Sequence, residues 1–404
     1  MVEAVQIVRD LHPPASFLNF YPSNPIIDVA CERMRTQVLQ ISGTEDVAAA
    51  VAPAVEVLRA GGLVAFPTET VYGVGVVATD KAAFDRLREL KDRPAAPFGL
   101  HVGRSEDVNR YVADIPPQAR MLMTKAWPGP VTILLPVGGG FADPQLSDPA
   151  LYARICPQGV IGLRCVEHPA GAALLEGVGL PVVASSANLA GRRPPTSAQD
   201  VLKQLDGRID LLIDGGPTRY NAASTIVSFE SGGLHVVRAG VYDERMIHRM
   251  STRTILFVCS GNTCRSPMAA GLAGRMLAER EGCRIADLPG RFIQVFSAGT
   301  LGLEGVGATE EAVAAVADLG VDIRGHLSRK VTSELIQSAD VVFCMSRGHL
   351  AEVVRITPSA AGKVFLLDPQ GDISDPIGGD AETYAQVAGR IAECLRVRMK
   401  EKWL

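Results

Sequence analysis

The stretch Val258-Cys259-Ser260-Gly261-Asn262-Thr263-Cys264-Arg265-Ser266-Pro267 sets the fold of the C-terminal third of the chain. An apolar run at residues 254–258 precedes it and reads as a strand, and the residues after it read as a helix. Five residues separate Cys259 from Arg265. A loop of that length can curl until its backbone N–H groups converge on one oxyanion, and the N-terminus of the next helix adds positive potential. Gly261 and Asn262 tolerate the positive φ such a curl demands, and Pro267 suits a first helical turn. Arg265 can clamp two phosphate oxygens at once. The same surroundings predict Cys259 as a thiolate at neutral pH. A thiolate beneath a bound phosphoryl group is a nucleophile for in-line attack.

Beyond the loop, strand and helix signals alternate: strands at 292–296, 341–344 and 364–367, a helix at 310–319 and a closing helix from about residue 381. The alternation predicts a parallel sheet with helices on both faces and ligands at the carboxyl ends of its strands. A cysteinyl-phosphate route also needs an acid for the leaving group. Asp375-Pro376, before Gly378-Gly379, supplies one, with Pro376 biasing Asp375 to an extended conformation; such pairs are also ordinary turns.

Residues 254–404 resemble the low-molecular-weight protein tyrosine phosphatase family through C-x-G-N-x-C-R-S-P after the first strand, Ser297-Ala298-Gly299 after the next, and the late Asp-Pro. The resemblance implies Cys259 as nucleophile, Arg265 as phosphate and transition-state ligand, Ser266 as hydrogen-bond donor to the thiolate, Asp375 as general acid, and Asn262 as keeper of the loop's shape. Ser260, Gly261, Thr263 and Cys264 complete the phosphate loop, and no cofactor is implied. Thr263 stands where tyrosine-specific members usually carry a larger aliphatic residue, and looks like the bacterial protein-arginine phosphatases of the same family. Phosphotyrosine and phosphoarginine both stay open as protein substrates, since one residue does not decide specificity. Cys264 can trap an oxidised Cys259 as a disulfide or serve as packing. The fold also hosts arsenate reductases, which relay oxidation through two further cysteines; Cys344 has no close partner in the sequence.

Residues 240–253 are polar, charged and without a strand pattern, and 243–253 read as a linker. Upstream, residues 44–242 read as one mixed α/β domain. A helix at 44–60 is stopped by Gly61-Gly62, a strand follows at 63–66, and Asp80 caps a second helix that ends near Lys91. Further strands are expected at 131–135, 160–163, 181–184, 211–213, 225–227 and 235–237. Residues 1–43, broken by Pro13, Pro14, Pro22 and Pro25, read as an irregular extension without assigned chemistry.

Four elements of this domain point at nucleotide phosphates: Pro67-Thr68-Glu69-Thr70-Val71-Tyr72-Gly73, Lys91-Asp92-Arg93-Pro94, Ser185-Ser186-Ala187-Asn188, and Ser224-Thr225 with Arg238. Each has a plainer reading alone; Lys91 and Arg93 also suit a solvated helix C-terminus. There is no Walker loop, and Gly73-Val74-Gly75 is too short for a dinucleotide fingerprint. Taken together, with Trp127-Pro128-Gly129-Pro130-Val131-Thr132, Gly162-Leu163-Arg164, Asp214-Gly215-Gly216-Pro217 and Ser224-Thr225-Ile226-Val227, they resemble the YrdC/Sua5 family of threonylcarbamoyl-AMP synthases in the tRNA t6A pathway.

That resemblance implies joining of L-threonine, bicarbonate and ATP with release of pyrophosphate. Lys91, Arg93, Thr132, Ser186 and Arg238 would hold ATP with Mg2+, and Thr70, His101, Ala184 and Ser224 would surround threonine. The sequence departs from the family at several points. The spacing from Arg93 to His101 is shorter, Pro97-Phe98 replaces Pro-Leu, Ala223 stands where Glu commonly precedes Ser-Thr, and Pro194 where a Ser often contacts ATP. The expectation is thus an α/β chain in two parts, a YrdC-like mixed domain and a parallel-sheet phosphatase domain, forming a bifunctional enzyme with indirect links to the tRNA-modification machinery. A non-catalytic RNA-binding or regulatory first domain, or an arsenate reductase second domain, is the alternative.

Composition bounds this reading. A net charge of -4 argues against an extensive basic nucleic-acid surface. No run approaches a membrane span, and early Glu3 and Asp10 speak against a signal peptide. The eight cysteines are scattered without a disulfide framework or a metal-type double C-x-x-C, which predicts a reducing cytoplasm.

Overall fold

A computed structural model describes residues 35–41, 46–92, 97–229 and 233–401. Among these, the first sheet has ten strands: β1 (Gln37–Gln40), β2 (Val64–Phe66), β3 (Gly73–Val77), β4 (Gly99–Val102), β5 (Val131–Pro136), β6 (Val160–Cys165), β7 (Val182–Ser186), β8 (Leu211–Asp214), β9 (Thr225–Ser228) and β10 (His235–Arg238). Their order is β1-β8-β2-β3-β7-β4-β6-β5-β9-β10. The pairs β1·β8, β2·β8, β4·β6 and β5·β9 are parallel and the other neighbours antiparallel, so the sheet is mixed.

Local chemistry explains the helices that frame it. Asp46 caps the helix Val47–Arg59 by accepting from Ala48 and Ala49 N–H, and Gly61 ends it in the left-handed region at φ +83°. Asp80 caps Lys81–Leu90 through the Ala83 N–H at 3.0 Å, as expected from the sequence. Strands β1, β3 and β4 go beyond the sequence expectation. Every residue of β3, Gly-Val-Gly-Val-Val, is buried, so it lacks the alternation that marks a half-exposed strand. β1 corrects the reading of residues 1–43 as wholly irregular. Its polar Gln-Val-Leu-Gln is held by parallel pairing with β8, about 170 positions away, a partner no local pattern reveals. Residues 1–34 lie outside the described residues.

The second sheet is wholly parallel: β11 (Arg253–Cys259), β12 (Ile293–Gly299), β13 (Val341–Cys344) and β14 (Val364–Leu366), in the order β12-β11-β13-β14. Period-two alternation sends Ile255, Phe257 and Cys259 into one apolar cluster and Leu256 and Val258 into the other. The first cluster is closed by the helices Arg265–Arg280 and Ala381–Lys400, and the second by Ser333–Ser338 and Arg347–Ile356. With both faces covered, β11 delivers Cys259 at its carboxyl end, the edge where such sheets bind ligands.

The segment expected as a linker carries a helix, Glu244–Ser251, capped by Asp243 through the Met246 N–H at 2.8 Å. It buries Ile247 and runs beside the helix Pro117–Ala126. His248 stacks on Phe292 with centroids 5.6 Å apart. Lys125 donates to Thr252 O at 2.7 Å and pairs with Asp340, which also accepts the Thr254 N–H at 2.7 Å. The polar surface of this stretch hid an amphipathic turn with one buried stripe. No helix among the described residues is long and apolar enough to cross a membrane.

Candidate active sites

At the end of β11 the chain turns through residues 260–264 into the helix Arg265–Arg280. Asn262 takes φ +57°, a value its short polar side chain tolerates. Its groups are then spent on the loop. Nδ2 donates to Ser266 Oγ at 2.8 Å and Ser297 Oγ at 2.9 Å, Oδ1 accepts the Arg329 N–H at 2.9 Å, and its carbonyl accepts from His326 Nε2 at 2.7 Å. Gly261 corrects the expectation of a positive φ. A Cβ there would stand 3.2 Å from Thr263 Oγ1 and 3.5 Å from Leu303, contacts that a small shift of the Thr263 side chain relieves.

The Cys259 Sγ lies 3.0 Å from Ser266 Oγ and accepts the Asn262 N–H at 3.3 Å. The expected thiolate is corrected for the resting loop. Burial pushes the Cys259 thiol up, outweighing the opposite pull of Ser266, Arg265 and Asn262. Arg265 is itself engaged in the resting loop. Its guanidinium is paired with the Asp375 carboxylate and also donates to Ser260 Oγ at 3.2 Å and Ile373 O at 3.0 Å. Much of its charge is thereby answered before any phosphate arrives, and its buried Nε has no hydrogen-bond partner among the described residues.

Cys259, Ser260, Gly261, Thr263, Cys264, Arg265 and Asp375 line one cavity of about 170 Å³, walled by Leu301, Leu303 and Ile377. Leu301 is 70% and Ile377 62% exposed, so the mouth is an aliphatic rim. Cys264 Sγ faces Tyr384 OH at 3.5 Å and Thr309 Oγ1 at 3.7 Å. Cys344 is fully buried in β13 and its thiol is pushed up to about 12 by that burial, which makes it a poor relay thiol. Sequence reasoning missed the second ring of support, His326, Arg329 and His349, because these residues come from separate segments and sit in no local motif.

In the first sheet, β3, β4, β5, β6, β7, β9 and β10 converge on a cavity of about 240 Å³. His101, Thr132, Ala184, Ser186, Ser224 and Arg238 line it, as do Arg164 and Pro194. Thr132 and Ser224 hydroxyls meet at 3.0 Å, and Arg238 donates to Ser224 O at 2.8 Å. Thr70 is set back from the cavity, its hydroxyl held by Arg164 at 2.5 Å and Thr68 at 2.8 Å. Lys91 is buried with its ammonium on the carbonyls of Ser186, at 2.7 Å, and Asn188. In this state it braces the Ser186–Asn188 loop and is not part of the lining. Arg93 lies outside the described residues.

Arg164, quoted in a motif but given no role, is the main residue sequence reasoning missed. It makes a buried ion pair with Glu69 at 2.7 Å, and its Nε is buried without a hydrogen-bond partner among the described residues. His101 Nδ1 must donate to Gly99 O at 3.0 Å. Burial and the Arg164 charge push this imidazole down to about 3, so it is neutral and leaves Nε2 as an acceptor. Two further cavities adjoin. One of about 300 Å³ shares Pro97, Gly99, Thr132 and Ile226 and adds the apolar Phe98, Leu134 and Val160. The other, an open cleft of about 610 Å³, shares Pro194 and carries Arg192, Arg193 and Lys203.

Comparisons with known proteins match these two regions separately. Residues 56–240 match the Sua5/YciO/YrdC family, described as telomere recombination, and residues 254–401 match the family described as low molecular weight phosphotyrosine protein phosphatase. A threonylcarbamoyl-AMP synthase of Bacillus subtilis is 37% identical over 44% of this chain and 49% of its own length. One from Chromohalobacter salexigens is 36% identical over 46% of this chain and 97% of its own length. The crystal structure of a YwlE mutant from Bacillus subtilis is 34% identical over 38% of this chain and all of its own, with a TM-score of 0.34. The chain spans about half to three-fifths of the length of the first curated relatives it matches.

Proposed function

Because the chain belongs to the Sua5/YrdC family over residues 56–240 and to the low molecular weight phosphatase family over residues 254–401, we propose that it is a bifunctional enzyme. Its first part makes L-threonylcarbamoyladenylate, and its second hydrolyses phosphorylated protein side chains through Cys259.

The synthase reading is carried by the gathering of His101, Thr132, Ala184, Ser186, Ser224 and Arg238 around one cavity. Arg164 supports a carboxylate there, and the neutral His101 offers an acceptor for the threonine hydroxyl. The adjoining apolar cavity suits a purine, and the basic cleft suits phosphates. The threonine amine attacks bicarbonate with loss of water, and the carbamate then attacks the α-phosphorus with loss of pyrophosphate. Positioning and cationic groups carry most of this chemistry. The lining donors are hydroxyls and guanidinium groups with no carboxylate among them, a set that fits Mg2+ arriving on the nucleotide. Bound that way, Mg2+ neutralises phosphate charge. The product would feed tRNA t6A modification.

The phosphatase reading is carried by the Cys259 sulfur at the floor of a cavity that Arg265 and Asp375 share. A phosphoryl dianion competes with Asp375 for the guanidinium. Once it binds, Asp375 is released from the guanidinium, takes up a proton from solvent and faces the leaving group, while Cys259 loses its proton to water and attacks phosphorus. The S–P bond forms as the P–N or P–O bond breaks, and Asp375 protonates the departing atom. Water then cleaves the thiophosphate, giving its proton to Asp375. Thr263 and the aliphatic walls Leu301, Leu303 and Ile377 offer no ring to stack a phenyl group, which favours phosphoarginine.

All seven described cysteines are unpaired, which supports a reducing cytoplasm. The full-length protein tests both readings. With threonine, bicarbonate and ATP it should release pyrophosphate and threonylcarbamoyl-AMP; no adenylate would leave a binding module instead. It should cleave phosphoarginine faster than phosphotyrosine peptides, and the reverse order would refute that preference.

A further inference from the structure

Ser260 lines the phosphatase cavity, and its hydroxyl is tied to a residue that the proposed reaction does not use. His349, buried in the helix Arg347–Ile356, places Nε2 at 2.9 Å from Ser260 Oγ. Its Nδ1 lies 2.9 Å from the Oγ of Ser346, the N-cap of the same helix. Ser260 Oγ also accepts from Arg265 at 3.2 Å. A continuous chain therefore runs Ser346–His349–Ser260–Arg265, ending on the guanidinium that pairs with Asp375.

Proton counting leaves two arrangements. Ser346 Oγ already accepts the His349 backbone N–H at 3.4 Å. If the Ser346 hydroxyl donates to Nδ1, then Nε2–H donates to Ser260. Ser260 then accepts from both His349 and Arg265, filling its two lone pairs. Its own proton must then point elsewhere, and the cavity it lines is where a phosphoryl oxygen would lie. In the other arrangement Nδ1–H donates to Ser346, and the Ser260 proton is spent on Nε2. An anion in the cavity rewards the first, because only the first offers it a hydroxyl donor.

We propose that His349 is a positioning residue: through Ser260 it fixes Arg265 and turns the Ser260 hydroxyl toward the bound phosphoryl group. The role rests on the phosphatase reading. With a neutral imidazole the single ring proton sits on Nε2 once the Ser346 hydroxyl donates to Nδ1. Burial and the nearby Arg265 charge push His349 down to about 4, against the opposing pull of Asp375 and Asp372, so it is neutral across working pH.

The test uses full-length protein and phosphoarginine. His349→Ala and Ser260→Ala should each lower kcat about tenfold, the scale of one hydrogen bond lost in a desolvated site. The double variant should lose no more than either single, since both break one chain. His349→Gln, which keeps a donor for Ser260, should recover most of kcat. Titrating inorganic phosphate into wild type should shift the His349 imidazole 15N signals to the Nε2–H tautomer. Additive losses, a Gln variant no better than Ala, or 15N signals unmoved by phosphate would overturn the role while leaving the phosphatase reading standing. A wild type that cleaves no phosphoryl substrate would overturn both.

Discussion

Between Cys259 and Ser266 eight consecutive residues supply the sulfur, the curl and the guanidinium, whereas the cavity of the first sheet draws its lining from positions as far apart as Thr68 and Arg238. The two designs carry different vulnerabilities. A contiguous loop depends on one strand end, one helix start and the saturated side chain of Asn262. A dispersed cavity depends on the register of many strands and on buried charges, such as Arg164–Glu69, that hold loops in place. Chemistry in the first can be removed with one atom. Chemistry in the second degrades with the fold around it.

The largest expected effect tests the contiguous site. Cys259→Ser should lower phosphatase turnover on the order of 10⁴-fold or more, as loss of a nucleophile does, while pyrophosphate release by the same protein stays at the wild-type rate. Next is the dispersed site. Arg164→Met leaves Glu69 buried and unpaired and should destabilise the first part of the chain by about 3–5 kcal/mol, read by urea unfolding, with synthase turnover lost alongside. An unchanged midpoint would show that the cavity does not depend on this pair.

A smaller effect addresses specificity in the loop. Thr263→Ile adds bulk inside the 170 Å³ cavity and should shift the phosphoarginine to phosphotyrosine ratio of kcat/KM by about tenfold toward phosphotyrosine. The smallest effect lies at the joint between the two regions. Lys125→Ala removes a half-buried pair with Asp340 and should cost about 1 kcal/mol or less, seen as a slight separation of two thermal transitions with both activities retained.

Acid titration sharpens the contrast further. His101 sits neutral with its value lowered to about 3, and His349 to about 4. Both would charge near 6.5 in the unfolded chain. Between 6.5 and these lowered values the unfolded chain binds more protons, so the stability these groups contribute is present above 6.5 and lost as pH falls toward 4 and 3. Thermal melts across that window should decline, and less steeply in His349→Gln.

Legibility followed the same division. The loop could be read because its geometry is local: strand, curl, helix and guanidinium lie within one stretch, and Asp375 was marked by its proline. Most strand centres of the first sheet were also legible from apolar runs. What escaped was set by distant partners. β1 exists through β8, β3 is buried on both faces, and the helix Glu244–Ser251 hides one apolar stripe under a charged surface. The family resemblance puts Lys91 at ATP and Thr70 at threonine, and in this structure tertiary contacts hold Lys91 on Asn188 and Thr70 on Arg164. The resting state of Cys259 escaped for a similar reason. Its thiol responds first to burial, which outweighs the opposing pull of Ser266, Arg265 and Asn262, and depth is not written in the loop.

Rapid acid quench of the full-length protein turning over phosphoarginine, with mass spectrometry of the peptide containing Cys259, tests the central claim most directly. A phosphoryl group on the Cys259 sulfur, appearing within one turnover and absent after alkylation of that thiol, is the predicted result. Continued turnover by the alkylated protein, or a phosphoryl group found on another side chain, would contradict the account.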